Sequence, residues 1–287
     1  MSLRFPFRDR EIVTEYPAFV MGILNATPDS FWAGSRTGGE SGRSVAAGVE
    51  RALRLAQDGA DVIDIGGESS RPGSAYVSED EELSRVIPLI EGIRRESAVP
   101  LSVDTRKSSV LVAALAAGAD MLNDISGLSD DPGMARVAAA ENIPVVIMHM
   151  KGSPKTMQDS PAYDNALEEV AAWLAERASW AEAAGIRRDR IILDPGIGFG
   201  KRHEDNLSLI AGTRRIAAAG YPVMMALSRK SCIGTITSRD VPDRLAGTLA
   251  ANILAVQRGA TWLRVHDVAE TRDSLAVLRE IERYGHA

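Results

Sequence analysis

Apolar residues fall in eight short runs, and each run ends in polar or charged residues on its C-terminal side. AFVMGIL leads into Asn25 and TPDSF, DVIDI into GGESSRPG, and VPLSV into Asp104. DMLND carries Asn123 and Asp124, PVVIM leads into His149, and IILD carries Asp194 and leads into PGIGFGK. PVMMAL leads into SRKS, and TWLRVHD carries Arg264 and His266. Core packing does not ask for polar groups at one end only. A parallel barrel does, because its active site is built at the C-terminal mouth of the strands.

Between the runs the apolar period becomes helical. Residues 43–58 put Val45, Val49, Ala52, Leu53 and Ala56 on one face and stop at Gly59. Residues 78–95 open with Ser78 and Glu81 at capping-box spacing. Shorter patterns cover 107–117 and 132–141, and the longest covers 161–184, with Pro161 near its start and Gly185 just past its end. Patterns over 203–218, 241–258 and 269–284 complete the set. Strand and helix thus alternate eight times, and several strands are apolar on both faces, as buried parallel strands are. An open doubly wound sheet is the rival, but its first turn carries a glycine-rich phosphate fingerprint that NATPDSF lacks. The pattern predicts one closed (β/α)8 barrel, an α/β fold spanning residues 1–287, with residues 1–17 as a lead-in to the first strand.

The length of 287 residues suits a single barrel. A net charge of -6 argues against nucleic acid as the main partner. No apolar run approaches membrane-spanning length, and the N-terminus has no apolar core of signal-peptide length. With one cysteine, Cys232, no internal disulfide can form. We therefore expect a cytoplasmic protein that needs no membrane, and we expect Cys232 to act as a small buried hydrophobe.

The strand-end motifs carry the chemistry. Asn25 is either part of a capped turn or a neutral oxygen ligand for Mg²⁺, which takes few protein oxygens when phosphates and water supply the rest. In GGESSRPG, Ser70 and Arg71 suit phosphate oxygens, while Glu68 equally fits as a partner for a barrel cation. Asp104, Asn123 and Asp194 could each be a helix cap. Converging, they would meet the donor edge of a flat heterocycle, such as a 2-amino-4-oxo pyrimidine ring. Phe199, in a glycine-dense loop, fits ring stacking better than core filling. Lys230 sits where a helix opens, a place that attracts anions. Arg264 and His266 share a strand face, and no carboxylate nearby in sequence pairs with Arg264 there, since Asp267 alternates to the other side. His266 fits either a hydrogen-bonding or a proton-transferring role. His149 reads as a support behind the site, and His203 as a helix start.

In this order, MGILNATPDSF, DIGGESSRPG, SVDT, NDISG, MHMKGSPKTMQ, LDPGIGFGK, SRKS and RVHDV resemble the dihydropteroate synthases, a pterin-binding family. The resemblance runs from about Ala18 to the C-terminus. It implies a barrel transferase of folate biosynthesis, usually a homodimer. Such an enzyme joins (7,8-dihydropterin-6-yl)methyl diphosphate to 4-aminobenzoate and releases pyrophosphate. It implies a pterin pocket of Asp104, Asn123, Asp194 and Lys230, with Met148 among the substrate-binding residues. It implies a diphosphate and Mg²⁺ site of Asn25, Ser70, Arg264 and His266. Aminobenzoate would lie near Phe199, Pro72 and Ser231, under loops carrying Asp29, Phe31, Arg71 and Pro72. The catalytic set so implied is Asn25, Asp104, Lys230, Arg264 and His266.

Three features depart from the family pattern. Ser70 replaces the frequent Thr, Trp32–Gly42 is long and lacks Asp-Gly-Gly, and Ala226 replaces a frequent Gly. Two other readings stand beside this one: a methyltetrahydrofolate-binding methyltransferase, and a non-catalytic pterin-binding paralogue. The first has no use for TPDSF, GESSRPG and SRKS together, because no pyrophosphate leaves; the altered first loop supports the second.

Overall fold

The computed structural model describes residues 2–26, 40–69, 73–74 and 76–285, with backbone alone for 40–44. Eight parallel strands form the barrel: β3 (Phe19–Asn25), β4 (Val62–Gly66), β5 (Leu101–Asp104), β6 (Met121–Asp124), β7 (Val145–Met148), β8 (Ile191–Asp194), β9 (Met224–Met225) and β10 (Trp262–Val265). Their order is β8-β7-β6-β5-β4-β3-β10-β9. A bridge between Leu193 and Val223 closes the ring between β8 and β9. Helices α1 (Glu40–Gln57), α2 (Glu79–Glu96), α3 (Ser108–Ala117), α4 (Met134–Ala140), α5 (Ala166–Ala183), α6 (His203–Ala211), α7 (Thr213–Ala217), α8 (Ser231–Thr237), α9 (Leu245–Gln257) and α10 (Val268–Gly285) follow the strands. No helix among the described residues is long and apolar enough to cross a membrane.

Strand alternation separates two cores. Outward residues such as Val20, Ile63, Ile65, Val103, Leu122, Ile147, Leu193 and Val265 join the helices in the larger apolar cluster. Inward residues Phe19, Met21, Val62, Met121, Val146, Ile192, Met224 and Trp262 form a second cluster inside the barrel. Nearer the C-terminal end, the inner face turns polar on five of the eight strands: Asp64, Asp104, Asn123, Asp194 and Arg264. A packed apolar base therefore carries a polar layer towards the C-terminal mouth.

The lead-in is more structured than its sequence suggests. Leu3–Pro6 (β1) and Glu11–Thr14 (β2) form an antiparallel hairpin. Phe5 and Phe7 join the inner cluster, and the Phe5 ring meets Trp262 edge-on at 5.0 Å. The hairpin plugs the N-terminal end of the barrel. Several helix boundaries also move. α5 starts at Ala166 rather than Pro161, because the Asn165 side chain accepts the Glu168 amide at 3.2 Å and caps it there. The single 203–218 pattern breaks at Gly212, where Leu167 of α5 fills the space a side chain would need. The 241–258 pattern begins as a 3-10 turn before α9. At α2, Ser78 caps as expected, but Glu81 pairs with Arg85 instead of completing the box.

Candidate active site

At the floor of the mouth, four side chains from four strands interlock. Asp64, fully buried on β4, accepts Arg264 Nε at 2.6 Å and the Asn123 amide at 3.0 Å through Oδ2. Arg264 Nη2 also donates to Asp104 Oδ2 at 2.8 Å. Strand register brings this about: Asp104 lies beside Asn123, and β10 lies against β3, next to β4. The expectation that no carboxylate pairs with Arg264 is thus corrected. Its partners come across the barrel from other strands, which spacing along its own strand cannot reveal. Burial raises the Asp104 pKa, opposed by Arg264 and reinforced by Asp64. Two carboxylates thus share one guanidinium. Its Oδ1 accepts no hydrogen bond from a described residue.

One wall is made by the β8 and β9 ends. Asp194 Oδ1 accepts the Gly196 amide at 2.7 Å, while Oδ2 accepts no hydrogen bond from a described residue. Burial raises its pKa, against the pull of Gly196, Lys230, Arg264 and Lys201. The Lys230 ammonium makes no hydrogen bond to a described residue and lies 4.4 Å from the Phe199 ring centroid. Burial lowers its pKa to about 8, with Asp194 opposing. Phe199 packs with Ile125, Met148 and Met157, so it forms a supported wall beside the lysine.

The glycine loop after β8 is pressed onto the His149 loop. Side chains at Gly196 and Gly200 would strike the carbonyl oxygens of His149 and Lys151, at 2.0 and 2.1 Å. Lys201, at the end of the glycine loop, is buried and anchors this contact. Its Nζ donates to the Phe199 carbonyl at 2.9 Å and lies 3.0 Å from His149 Nδ1. Burial lowers the Lys201 pKa to about 7, and burial with Lys201 lowers that of His149 to about 3. His149 is therefore a neutral support, as its sequence position suggested.

At the rim, His266 Nδ1 lies 2.9 Å from Ser228 Oγ, which also accepts the His266 amide. Burial and the neighbouring Arg264 lower its pKa to about 4, so the ring is neutral at pH 7. Asp267 turns away and pairs with Arg229 at 2.8 Å. Glu68 ties the second loop down, accepting Lys107 Nζ at 3.0 Å and an Arg106 guanidinium, while Lys107 also meets the buried Glu82. That is the cation-partner reading of Glu68. His203 opens α6, and Cys232 is buried.

A cavity of ≈ 1090 Å³ opens over this floor, lined in part by Asn25, Asp104, Phe199, Lys230, Ser231, Arg264 and His266. Asn123, Met148 and Asp194 are nearly buried, each 3% exposed. Ala226 also lines the cavity. Asp29, Phe31, Ser70, Arg71 and Pro72 lie outside the described residues, as does the Trp32–Gly39 part of the long first loop; Glu40–Gly42 already belong to α1. Asp64 was missed by motif reading. Its signal is an acidic residue two places after Val62 on the inward face of an apolar strand.

A barrel whose mouth presents carboxylates, a lysine bonded to no described residue and a supported aromatic wall is a site for a flat, donor-rich ring. The chain belongs to the pterin binding enzyme family, whose model matches residues 21–266. Among its relatives are dihydropteroate synthases. That of Escherichia coli (strain K12) is 43% identical over 259 residues, covering 90% of each chain. That of Bacillus subtilis (strain 168) is 45% identical, covering 88% of this chain and 84% of its own. A solved dihydropteroate synthase of Xanthomonas albilineans with 4-aminobenzoic acid superposes with a TM-score of 0.89 at 47% identity, covering 98% of this chain and 99% of that one. Another structure from that organism, in complex with 7,8-dihydropteroate, gives 0.85 at 44% identity, with the same coverage.

Proposed function

We infer that the chain is a dihydropteroate synthase of folate biosynthesis. It joins (7,8-dihydropterin-6-yl)methyl diphosphate to 4-aminobenzoate. The observation that carries this reading is the unspent hydrogen-bonding capacity of the polar layer. Asp104 Oδ1, Asp194 Oδ2 and the Lys230 ammonium make no hydrogen bond to a described residue. A 2-amino-4-oxo ring offers N–H donors for the two carboxylates and an acceptor for the lysine. Asn123, whose amide nitrogen is spent on Asp64, keeps its carbonyl oxygen for the same ring.

In the reaction the arylamine nitrogen bonds to the pterin methylene carbon. The bond from that carbon to the diphosphate oxygen breaks, and the amine gives up a proton. Arylamines are neutral at pH 7, so the chain needs no strong base and has only to disperse charge on the leaving group. Arg264 Nη1 is the guanidinium nitrogen not bonded to a carboxylate, and it faces that task. His266 Nδ1 and Ser228 Oγ are hydrogen-bonded, and in the tautomer in which the Ser228 hydroxyl donates to Nδ1, Nε2 carries hydrogen for a phosphate oxygen. His266 then acts as a donor and not as a base.

The residues present fit Mg²⁺ bound mainly through substrate. The Asn25 side chain lines the cavity and bonds to no described residue, and no cluster of three or more metal-binding side chains exists among the described residues. Asn25 would hold the ion, which would supply positive charge to the diphosphate. Phe199, Ser231 and the second loop would take the aminobenzoate. We read the protein as a cytoplasmic homodimer; the exposed Val277, Ile281 and Tyr284 of α10 support a paired state.

Incubation with both substrates and Mg²⁺ should yield 7,8-dihydropteroate by mass spectrometry. Binding of the pterin without product would favour a non-catalytic paralogue and overturn the reading.

A further inference from the structure

The rim has a charge problem that its paired residues do not solve. A diphosphate leaving group brings several negative charges to the Arg264 end of the cavity. Yet Arg264 is bonded to both Asp64 and Asp104. Arg229 is neutralised by Asp267. Glu68 adds a further negative charge to the cavity wall, itself balanced by Arg106 and Lys107. Lys201 is buried among carbonyl oxygens with its pKa lowered, and Lys230 stands against Phe199.

Among the described residues, one guanidinium on the cavity wall is left over. Arg51 of α1 is exposed and lines the cavity with Asn25, Arg264 and His266. Its single hydrogen bond to a described residue runs from Nη2 to the His266 carbonyl, at a long 3.3 Å. No carboxylate among the described residues pairs with it. Its height on the barrel is fixed by packing. Leu55, one turn further along α1, has its Cβ 3.5 Å from where a side chain at Gly22 would begin, and Val268 of α10 closes the other side. Arg51, one turn earlier on α1, therefore stands nearer the C-terminal mouth than Gly22, beside the His266 carbonyl that precedes α10. A long side chain there reaches over the rim with most of its donor fork unspent.

We propose that Arg51 is a diphosphate-binding residue, supplying the uncompensated positive charge that captures the leaving group at the outer edge of the site. This rests on the dihydropteroate synthase reading. Arg51 binds the outer phosphate, while Arg264, held by its two aspartates, meets the inner oxygens next to the breaking bond. Its tether to the His266 carbonyl links the two donors, so both face the same anion.

The test is calorimetric titration of wild type, Arg51→Gln and Arg51→Lys with inorganic pyrophosphate, and separately with a pterin that lacks the diphosphate. The proposal expects pyrophosphate binding to weaken at least fivefold in Arg51→Gln, and by less in Arg51→Lys, which keeps the charge. Pterin affinity and thermal midpoint should stay as in wild type in both. Steady-state KM for the diphosphate substrate should rise in Arg51→Gln with little change in kcat. Unchanged pyrophosphate affinity in Arg51→Gln overturns the proposal. So does an equal loss of pterin affinity, which would mean that Arg51 only props His266. Failure of the wild type to bind pyrophosphate would instead strike the reading on which the proposal rests, and take the proposal with it.

Discussion

Arg264 shows how a residue's identity and its surroundings divide the work. Its identity is readable as an oxyanion binder on an inward strand face. Its two aspartate partners are 200 and 160 residues away in sequence and meet it only because the barrel closes. The residue is therefore part of the fold as well as of the site, since removing it would leave the buried Asp64 and the partly buried Asp104 sharing no cation. Lys230 is the residue whose charge state is most exposed to test. Burial lowers its pKa to about 8, so the ammonium is intact below that pH and is lost above it. Pterin affinity of wild type relative to Lys230→Met should accordingly be well above one at pH 7 and fall towards one by pH 9.5. Taking the ratio cancels the titration of groups whose pKa Lys230 does not influence. A ratio that stays constant across that range would show that the ammonium does not bind the ring.

Among the elements, the strands and most helices were legible because each carries its own period, two or 3.6. What local pattern could not give was anything decided by a partner element. The 203–218 helix looks continuous until Leu167 of α5 claims the space at Gly212. The N-terminal hairpin looks like a lead-in because its partners, Phe19 and Trp262, lie at opposite ends of the barrel sequence. The hairpin belongs to stability and not to catalysis, for it caps the end of the barrel away from the polar layer. Phe5→Ala should cost about 3–5 kcal/mol of folding free energy, the range for an aromatic removed from a packed core. Urea unfolding and pterin titration on the same variant would check this. Lost pterin affinity with unchanged stability would mean that the hairpin reaches the site.

For the molecule as a whole, the asymmetry of the chain becomes the polarity of the barrel: an apolar base, a polar layer above it, and cations at the rim. The fold class and the place of the site were both legible from that asymmetry. The internal pairing of the polar layer was not, and it assigns Asp64 as the shared acceptor that holds Arg264 and Asn123 in place. The account stands on the remaining acceptors being meant for a donor-rich ring. Calorimetric titration of a pterin into wild type and Asp194→Asn measures this most directly, because the substitution keeps the shape of the side chain and removes its charge. The account predicts a loss of about tenfold to a hundredfold in affinity, the value of one charge-assisted hydrogen bond, with thermal stability retained. Pterin binding unchanged by Asp194→Asn would contradict it.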